Sequence, residues 1–329
     1  MERFDVAVVG GGMSGWIAAA FAAEGGRRVV LLERADTFGG RARTLTLKAA
    51  RLNLGAHAVY LDGELSAALK ALGIALSGGA PSLSSHGLSR GNVFPLPSSF
   101  GKLLRSPLLG VRGKVELART LTKLKGLNPD RLPRESFSSW LDRNVHDPMV
   151  RSLLCAFAQT ATYYTEPAIQ GARSVLQQLQ FTLNGGAFYP DEGWGGLVNA
   201  LKRKAEGLGV QAYPGSRAQR VALLDESRAG DIRAGRGRFV IECRRGKRLL
   251  ADQVVLALPP DACCQIFDGA EKTSLVAWRN QAKPITVACL DLVLRKLPNP
   301  QYRFVMGMGE PILFSDQFRA ARLSDSGWH

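Results

Sequence analysis

The order of apolar and polar segments near the start of the chain predicts a strand, a helix and a second strand. Phe4–Val9 is a short apolar run, the alanine-rich segment from Ser14 to Glu24 has a helix-forming composition, and Arg28–Glu33 is a second apolar run. A glycine turn joins the first run to the helix. Because parallel strands need a crossover connection, this order predicts a βαβ unit in a parallel sheet.

Beyond residue 100 the pattern changes to the spacing of amphipathic helices. Leu117, Leu121 and Leu124 recur at helical intervals, and Asp147 followed by Pro148 is typical of a helix start. We expect a further helix over residues 167–183. After residue 209 the pattern returns to strands, which we expect over 210–213, 219–224, 239–243, 254–258, 285–293 and 302–306.

These elements predict an α/β protein of two lobes, and 329 residues are enough for two cores. One lobe is a Rossmann-like parallel sheet that binds a nucleotide, and the other is a helical plus β-sheet lobe for the substrate. We expect the first lobe to comprise residues 1–95 and 190–265. The substrate lobe would then combine the helices of 96–189 with a sheet in 266–329.

The positive charge of the chain is concentrated in two segments. The formal net charge is +15, from 43 Lys and Arg against 28 Asp and Glu. Residues 102–151 hold 11 basic and 5 acidic side chains, and residues 202–248 hold 13 basic and 5 acidic side chains. Together the two segments account for +14 of the net charge. Two interpretations stay open: contact with an anionic membrane, or a solvated surface. Stacking aromatic residues are not interleaved with the basic ones, so we expect no nucleic-acid partner.

The remaining composition excludes several classes of protein. No apolar run reaches the roughly 20 residues of a membrane-spanning helix, and the N-terminus does not have the layout of a signal peptide. The cysteines are odd in number and scattered, without the spacing of a metal site. We therefore expect a cytoplasmic protein without a metal, with peripheral membrane contact as the open alternative. The cysteines are Cys155, Cys243, Cys263, Cys264 and Cys289.

A glycine motif between the first strand and the helix predicts a dinucleotide site. In the G-x-G-x-x-G sequence, Gly10 permits a tight turn, Gly12 lets a pyrophosphate approach the backbone, and Gly15 lets helix and strand pack closely. The helix N-terminus supplies N–H groups to the phosphates. Glu33, 18 residues after Gly15, can accept hydrogen bonds from the adenosine ribose. The residues predicted to contact the nucleotide here are Gly10, Gly12, Met13, Ser14, Gly15 and Glu33.

The segment after Glu33 indicates which dinucleotide is bound. The run V-x-L-L-E-R-x-x-x-x-G-G-R-x-x-T, ending at Thr44, resembles the N-terminus of the flavin-containing amine oxidase superfamily. That group includes monoamine oxidases, protoporphyrinogen oxidases and phytoene desaturase-like enzymes. The resemblance implies that the cofactor is FAD and that the loop of Gly39, Gly40 and Arg41 lies over its pyrophosphate. A guanidinium suits that place because it neutralises phosphate charge.

Further stretches extend the resemblance along the chain. Asn53–His57 resembles a segment that lies beside the flavin ring in the family. Gly193–Leu197 resembles a glycine-rich turn that faces the cofactor and the substrate, and Ala251–Pro260 resembles a strand of the nucleotide lobe. In the family's pattern a C-terminal strand, a Gly-Asp turn and a helix complete the flavin site, and we expect this chain to lack them. The resemblance adds as cofactor contacts Arg34, Gly40, Arg41, Gly55, Ala56, His57 and Ala218.

The expected function is that of an FAD-dependent oxidoreductase (dehydrogenase, desaturase or oxidase). By the resemblance, it would transfer a hydride from an apolar substrate, such as a polyene or a tetrapyrrole, to the flavin. The amine-oxidising branch places a lysine in the strand matched to residues 285–292, and here Lys283 lies just before that strand. The alternatives are an amine oxidase or a truncated, non-catalytic dinucleotide-binding protein. No catalytic residue is identified: His57 could transfer a proton or could bond to backbone.

Overall fold

The computed structural model describes residues 1–48, 50–55, 58–81, 85–96, 105–224 and 238–324. Its central sheet is formed by the strands β1 (Glu2–Val9), β2 (Val29–Leu32), β10 (Gln211–Tyr213), β11 (Ala218–Leu223), β12 (Phe239–Cys243) and β13 (Arg248–Leu256). The order of these strands across the sheet is β10-β2-β1-β13-β12-β11. Strands β10, β2, β1 and β13 are parallel, and β12 and β11 continue the sheet in antiparallel pairing.

The predicted βαβ unit is confirmed. Helix α1 (Met13–Glu24) connects β1 to β2, and the two strands pair in parallel from Val6 against Val29 onward. All four residues of β2 are buried, as expected for a parallel strand covered on both faces. The α/β fold class predicted from the hydrophobic pattern is therefore the fold that is observed.

The two faces of this sheet are covered by different elements. On one face Trp16 of α1 packs with Val6 and Val8 and with Leu201 of helix α7 (Gly193–Gly207). On the other face Ala7 and Val9 belong to a cluster with side chains of the neighbouring strands β11 and β12, against which Ile266 of helix α8 (Pro260–Ile266) packs. The carboxyl ends of β1, β2 and β13 meet at one edge of the sheet, where ligands of open parallel sheets bind.

The second lobe combines helices with a smaller sheet. Four helices enclose a core that includes Trp140, Leu153 and Leu176, and Met306 from the smaller sheet joins that core. The helices are α3 (Val111–Lys125), α4 (Phe137–Asn144), α5 (Pro148–Thr162) and α6 (Ala172–Asn184). The sheet has the order β15-β14-β7-β8, formed by β7 (Ser85–Ser89), β8 (Asn92–Pro95), β14 (Phe304–Gly307) and β15 (Leu313–Ser315).

The smaller sheet differs from the expected boundary at residue 95. Strands β7 and β8, assigned from the sequence to the nucleotide lobe, pair instead with β14, Gly87 lying opposite Met306. The remaining strands are β3 (Thr44–Leu47), β4 (Ala50–Asn53), β5 (Val59–Tyr60), β6 (Gly78–Gly79) and β9 (Ala187–Pro190), and the remaining helices are α2 (Glu64–Ala71), α8 (Pro260–Ile266) and α9 (Leu275–Gln281). Strands β3 and β4 form a hairpin, and β9 lies between β5 and β6.

Two local predictions in the helical region have different outcomes. Asp147 caps α5 as expected, accepting the N–H groups of Met149 and Val150 at 2.9 and 3.1 Å. The helix expected over 167–183 begins only at Ala172. The residues before it form a turn in which the N–H groups of Ile169 and Gln170 bond to the carbonyl of Glu166.

The predicted strand over residues 285–293 is wrong. The segment after α9 pairs with no strand of the described chain, and its residues are exposed as far as Leu292. Strand propensity alone does not make a strand, because the ladder hydrogen bonds need a neighbour. The strand expected at 302–306 does form, as β14, displaced by about two residues.

Candidate dinucleotide-binding site

The glycine loop lies at the carboxyl end of β1, where its geometry requires glycine at two positions. Gly10 has φ of 112°, and a Cβ there would lie 2.6 Å from the carbonyl oxygen of Ala257, the residue after β13. A Cβ on Gly15 would overlap the carbonyl oxygen of Gly10. These two glycines therefore let β1, β13 and α1 come together, as the motif predicted.

The space over Gly12 is open, which suits a phosphate. A Cβ built there would have as its nearest neighbour the carbonyl oxygen of Gly39, at 3.9 Å. Gly12 is also the N-cap of α1, and no side chain of the described residues caps the backbone there. Met13 and Ser14 follow in the first turn, without an acidic residue. An anion is stabilised at such a helix N-terminus by backbone N–H groups and by the helix dipole.

Glu33 is held rigidly at the end of β2. Its side chain is 9% exposed, and its two carboxylate oxygens accept the N–H of Gly11 at 2.7 Å and the N–H of Ala35 at 2.9 Å. An ionised carboxylate has about four lone-pair sites. The two that remain are available for the hydroxyls of an adenosine ribose, and the ribose contact stays a prediction.

A second glycine turn lies directly against the first. Gly39 forms a parallel bridge with Gly12 and donates its N–H to the carbonyl of Gly11 at 2.8 Å. Gly40 has φ of 54°, and a Cβ there would lie 3.7 Å from the Cα of Gly12. Arg41 follows in a short 3-10 helix, and it is exposed. The predicted pyrophosphate loop and the predicted Gly-Gly-Arg loop therefore form one structure.

Phe38 supports this structure, although the sequence pattern did not predict a role for it. Its ring lies beneath Gly11, where a Cβ would be 2.6 Å from a ring carbon. The ring also meets Trp16 edge to face, with centroids 5.0 Å apart and an interplanar angle of 72°. An aromatic residue directly before two glycines was the available signal. Phe38 fixes the glycine pair at 39 and 40 over helix α1.

The backbone around residue 216 surrounds the adenosine end of the site. Ser216 donates its N–H to the carbonyl of Glu33 at 2.7 Å, and Gly215 donates to the carbonyl of Ala35 at 2.9 Å. Ala218 is buried at the start of β11, where the pairing with β12 shifts register. Arg34 is exposed beside Glu33. Ala218 follows this backbone by two residues, and its contact with adenine stays a prediction.

Residues near Asn53 are used to cap helix α7. The side-chain oxygen of Asn53 accepts the N–H of Trp194 at 2.9 Å, and the hydroxyl of Thr44 accepts the N–H of Gly195 at 2.8 Å. The Thr44 hydroxyl itself donates to Asn53 at 2.8 Å. The glycine-rich turn at Gly193 does open a helix, but these two amides point at protein. Gly55, with φ of 112°, follows, and Ala56 and His57 lie outside the described residues.

Three phenols, those of Tyr60, Tyr163 and Tyr189, lie near one another. Tyr60 belongs to β5, Tyr189 to β9, and Tyr163 ends α5 in a left-handed conformation with φ of 58°. Burial raises the pKa of all three phenols, and the neighbouring phenols and the thiol of Cys289 raise that of Tyr163 further. The Tyr189 hydroxyl lies 3.0 Å from that of Ser315. These phenols are neutral at physiological pH.

The residues present fit the adenosine and pyrophosphate part of FAD. The open space over Gly12, the uncapped N-terminus of α1 and the buried carboxylate of Glu33 supply a phosphate seat and a ribose acceptor. Within the described ranges, no three His, Cys, Asp or Glu side chains are grouped to hold a metal. Within those ranges, too, no helix has both the length and the apolar character needed to cross a bilayer.

Comparison with known proteins agrees with this site. Residues 8–72 match a protein-family model described as an NAD(P)-binding Rossmann-like domain. Those residues contain the glycine loop, Glu33 and the second glycine turn. No curated protein matches the sequence.

Three solved structures with the same fold are described as an oxidoreductase or an oxidase. An oxidoreductase from Methanosarcina mazei superposes with a TM-score of 0.64 at 20% identity, over 85% of this chain and 64% of that one. A putrescine oxidase variant superposes with a TM-score of 0.60 at 22% identity, over 81% of this chain and 61% of that one. A candidate protoporphyrinogen oxidase from Exiguobacterium superposes with a TM-score of 0.55 at 18% identity, over 80% of this chain and 61% of that one.

These structures show the fold. The chain has the α/β fold of the putrescine oxidase and candidate protoporphyrinogen oxidase structures, which confirms the fold that the resemblance implied. The chain spans between 61% and 64% of the length of these three proteins.

Proposed function

We propose that the chain is an FAD-dependent oxidoreductase. The observation that carries this proposal is the bridge between Gly12 and Gly39, which joins the second glycine turn to the phosphate-binding loop. One helix N-terminus suits one phosphate group of a dinucleotide. The adjoining turn brings Arg41 to the same edge, where a guanidinium can neutralise the second phosphate. This pair of turns favours FAD over a nicotinamide dinucleotide.

Each part of the site has a separate role in this proposal. Glu33 orients the adenosine through the ribose, Ala218 contacts the adenine through its backbone, and the amides of the first turn of α1 bind the pyrophosphate. When bound, the flavin accepts a hydride equivalent from a substrate C–H or N–H bond. The protein then has to position the substrate and exclude water from the region between the lobes.

An apolar substrate, such as a polyene or a tetrapyrrole, fits the surroundings of these three phenols best. The groups that influence the titration of Tyr60, Tyr163 and Tyr189 are other phenols, the thiol of Cys289 and the hydroxyls of neighbouring residues. Among the described residues, no carboxylate contributes to these three pKa shifts. A protonated amine would need such a negative partner when it leaves water. An amine substrate is therefore the second candidate, and a side-by-side turnover assay with putrescine and a porphyrinogen separates the two.

Cofactor identity is tested by titrating the purified chain with FAD and with NAD, following tryptophan fluorescence or heat. We expect FAD to bind and Arg41→Ala to weaken its binding by roughly 1.5–3 kcal/mol, which is the contribution of a hydrogen bond to a charged group. Arg27→Ala is the matched control, because Arg27 is exposed beyond the opposite end of α1. Unchanged FAD affinity would remove Arg41 from the site, and binding of NAD alone would make this a nicotinamide protein. Flavin that binds but is reduced by none of the substrates would favour the non-catalytic alternative.

We also propose that the protein contacts anionic membranes peripherally, where a lipophilic substrate is dissolved. Helix α3 supports this proposal, because Arg112, Arg119 and Lys123 are exposed and recur at helical spacing. The exposed apolar residues Val111 and Val115 lie on the same helix. A helix that presents basic and apolar residues together is typical of binding at a membrane surface.

A further inference from the structure

The chain between α9 and β14 contains a stretch that pairs with no strand of the described residues. We refer to residues 283–292 as the exposed segment, since all of them are exposed. Leu290 is 82% exposed and Leu292 is 58% exposed. No backbone hydrogen bond joins the exposed segment to any described residue. Exposed apolar residues that are contiguous on the surface are typical of an interaction site.

The sequence of the exposed segment is that of a strand. Ile285, Thr286 and Val287 are consecutive β-branched residues, the type most enriched in strands. An extended run with unpaired N–H and C=O groups is a template for another strand. A single strand is not stable alone in water, so this stretch needs a neighbour to keep its conformation.

We propose that a second copy of this chain provides that neighbour, through antiparallel pairing of the two exposed segments centred on Val287. In an antiparallel pair about a two-fold axis, each residue lies opposite the residue equally far on the other side of the centre. Val287 then faces its own counterpart. Ile285 lies opposite Cys289, and Lys283 lies opposite Asp291 of the second copy, twice in the dimer.

Charge selects this register over its neighbours. Centring the pair on Ala288 would set Asp291 opposite Ile285, and centring it on Cys289 would set Lys283 opposite Arg295. Only the register centred on Val287 joins Lys283 to Asp291, and opposite charges at facing positions stabilise a strand pair.

The proline in the segment agrees with the same register. Pro284 has no N–H to donate, so it fits only where its backbone points away from the partner strand. With Val287 in a hydrogen-bonded pair, the bonded positions are the odd-numbered residues and Pro284 lies between them. The segment can therefore form its full set of bonds in spite of the proline.

The net charge opposes self-association but does not prevent it. Two chains of charge +15 repel strongly at low ionic strength, but at about 0.15 M salt the Debye length is about 8 Å and distant charges are screened. Dimerisation is therefore expected to strengthen as salt rises. Membrane binding through basic residues weakens under the same change, so the two associations have opposite salt dependence.

Charge reversal tests the register. Sedimentation velocity of the full chain over a range of concentrations at about 0.15 M salt should show a monomer–dimer equilibrium. Lys283→Asp and Asp291→Lys should each weaken it by roughly tenfold, because each sets two pairs of like charges face to face. The double variant Lys283→Asp with Asp291→Lys should recover it. Lys296→Asp is the control: it makes the same charge change at an exposed position beyond the segment and should not weaken the dimer.

Cross-linking gives an independent measurement. In a Cys289→Ser background, Val287→Cys should form a disulfide-linked dimer under mild oxidation, since facing Cα atoms about 5.5 Å apart permit that bond. Leu292→Cys should not, because the two copies of that residue would be about 33 Å apart along the strands.

Three results would overturn the proposal: a monomer at every concentration and salt tested, a double variant as weak as the single reversals, or equal cross-linking at 287 and 292. A monomer that binds anionic vesicles and loses that binding with Lys283→Asp would assign the segment to a membrane instead. Far-ultraviolet circular dichroism of each variant establishes that it is folded before its association is compared.

Discussion

The carboxylate of Glu33 lies 2.7 Å from the backbone nitrogen of Gly11 and joins the two halves of the nucleotide site. One half is the ribose acceptor at the end of β2, and the other is the phosphate-binding loop after β1. Because one side chain belongs to both, a change in its charge affects the loop as well as the ribose contact. The backbone N–H of Ala35 holds the other carboxylate oxygen, which fixes the side chain in this position.

Glu33→Gln is expected to weaken FAD binding by roughly 1.5–3 kcal/mol, or about 10- to 150-fold. Glutamine keeps one acceptor oxygen, but its NH2 group accepts no hydrogen bond. That group would have to face a donor, either a backbone N–H or a ribose hydroxyl, so at least one bond is lost. Isothermal titration with FAD measures the loss. Glu24→Gln is the control, as it removes an exposed carboxylate at the other end of α1. If both variants bind equally well, Glu33 does not contact the nucleotide.

Phe38→Ala is expected to reduce both stability and FAD affinity. The ring is only partly buried, so its removal should cost about 1–3 kcal/mol of unfolding free energy, less than a fully buried phenylalanine. The affinity should fall because the glycine pair at 39 and 40 loses its support over Gly11. Urea unfolding with and without FAD separates the two effects. Phe38→Leu should retain most of the affinity, and equal loss in both variants would mean that the edge-to-face contact with Trp16 matters more than packing volume.

The parts of the site that the sequence predicted are those fixed by local geometry. Gly10 and Gly15 follow from the close approach of strand and helix within one βαβ unit, and Glu33 follows from the end of the next strand. The parts missed depend on partners remote in sequence. The pairing of β7 with β14 has no local signature, and the aromatic residue before Gly39 does not by itself reveal that its ring packs under Gly11. The wrong strand at 285–293 has the residues of a strand but no neighbour in the described chain to pair with.

Anionic vesicles should bind the protein more tightly than neutral ones, and high salt should weaken that binding. Co-sedimentation with vesicles that contain or lack phosphatidylserine measures this difference. Replacing Arg112, Arg119 and Lys123 of α3 by glutamate should abolish most of it. The same charge change at Arg27, Lys70 and Lys272, which are exposed elsewhere, is the control. Equal loss in both triple variants would show that net charge, rather than α3, attracts the protein.

Alkaline pH should destabilise the protein through its buried phenols. Burial raises the pKa of Tyr163 in the folded state, so the folded chain keeps a proton that the unfolded chain releases above pH 10 or so. Its contribution to stability is complete below that pH and is lost as the pH rises further. Tyr163→Phe should make the fall in unfolding free energy shallower by up to about 1.4 kcal/mol per pH unit. Denaturant unfolding between pH 8 and 11 tests this, and an unchanged slope would contradict it.

The caps of helix α7 have a consequence for the order in which the chain folds. The amides of Trp194 and Gly195 are satisfied by side chains 141 and 151 residues earlier in the sequence. Bringing such distant residues together requires closing a very long loop, which is slow compared with forming a helix. The body of α7 can therefore form early, while its first turn stays open to solvent exchange until the hairpin of β3 and β4 docks. In a refolding experiment with pulsed deuterium labelling, these two amides should be among the last in the helix to become protected.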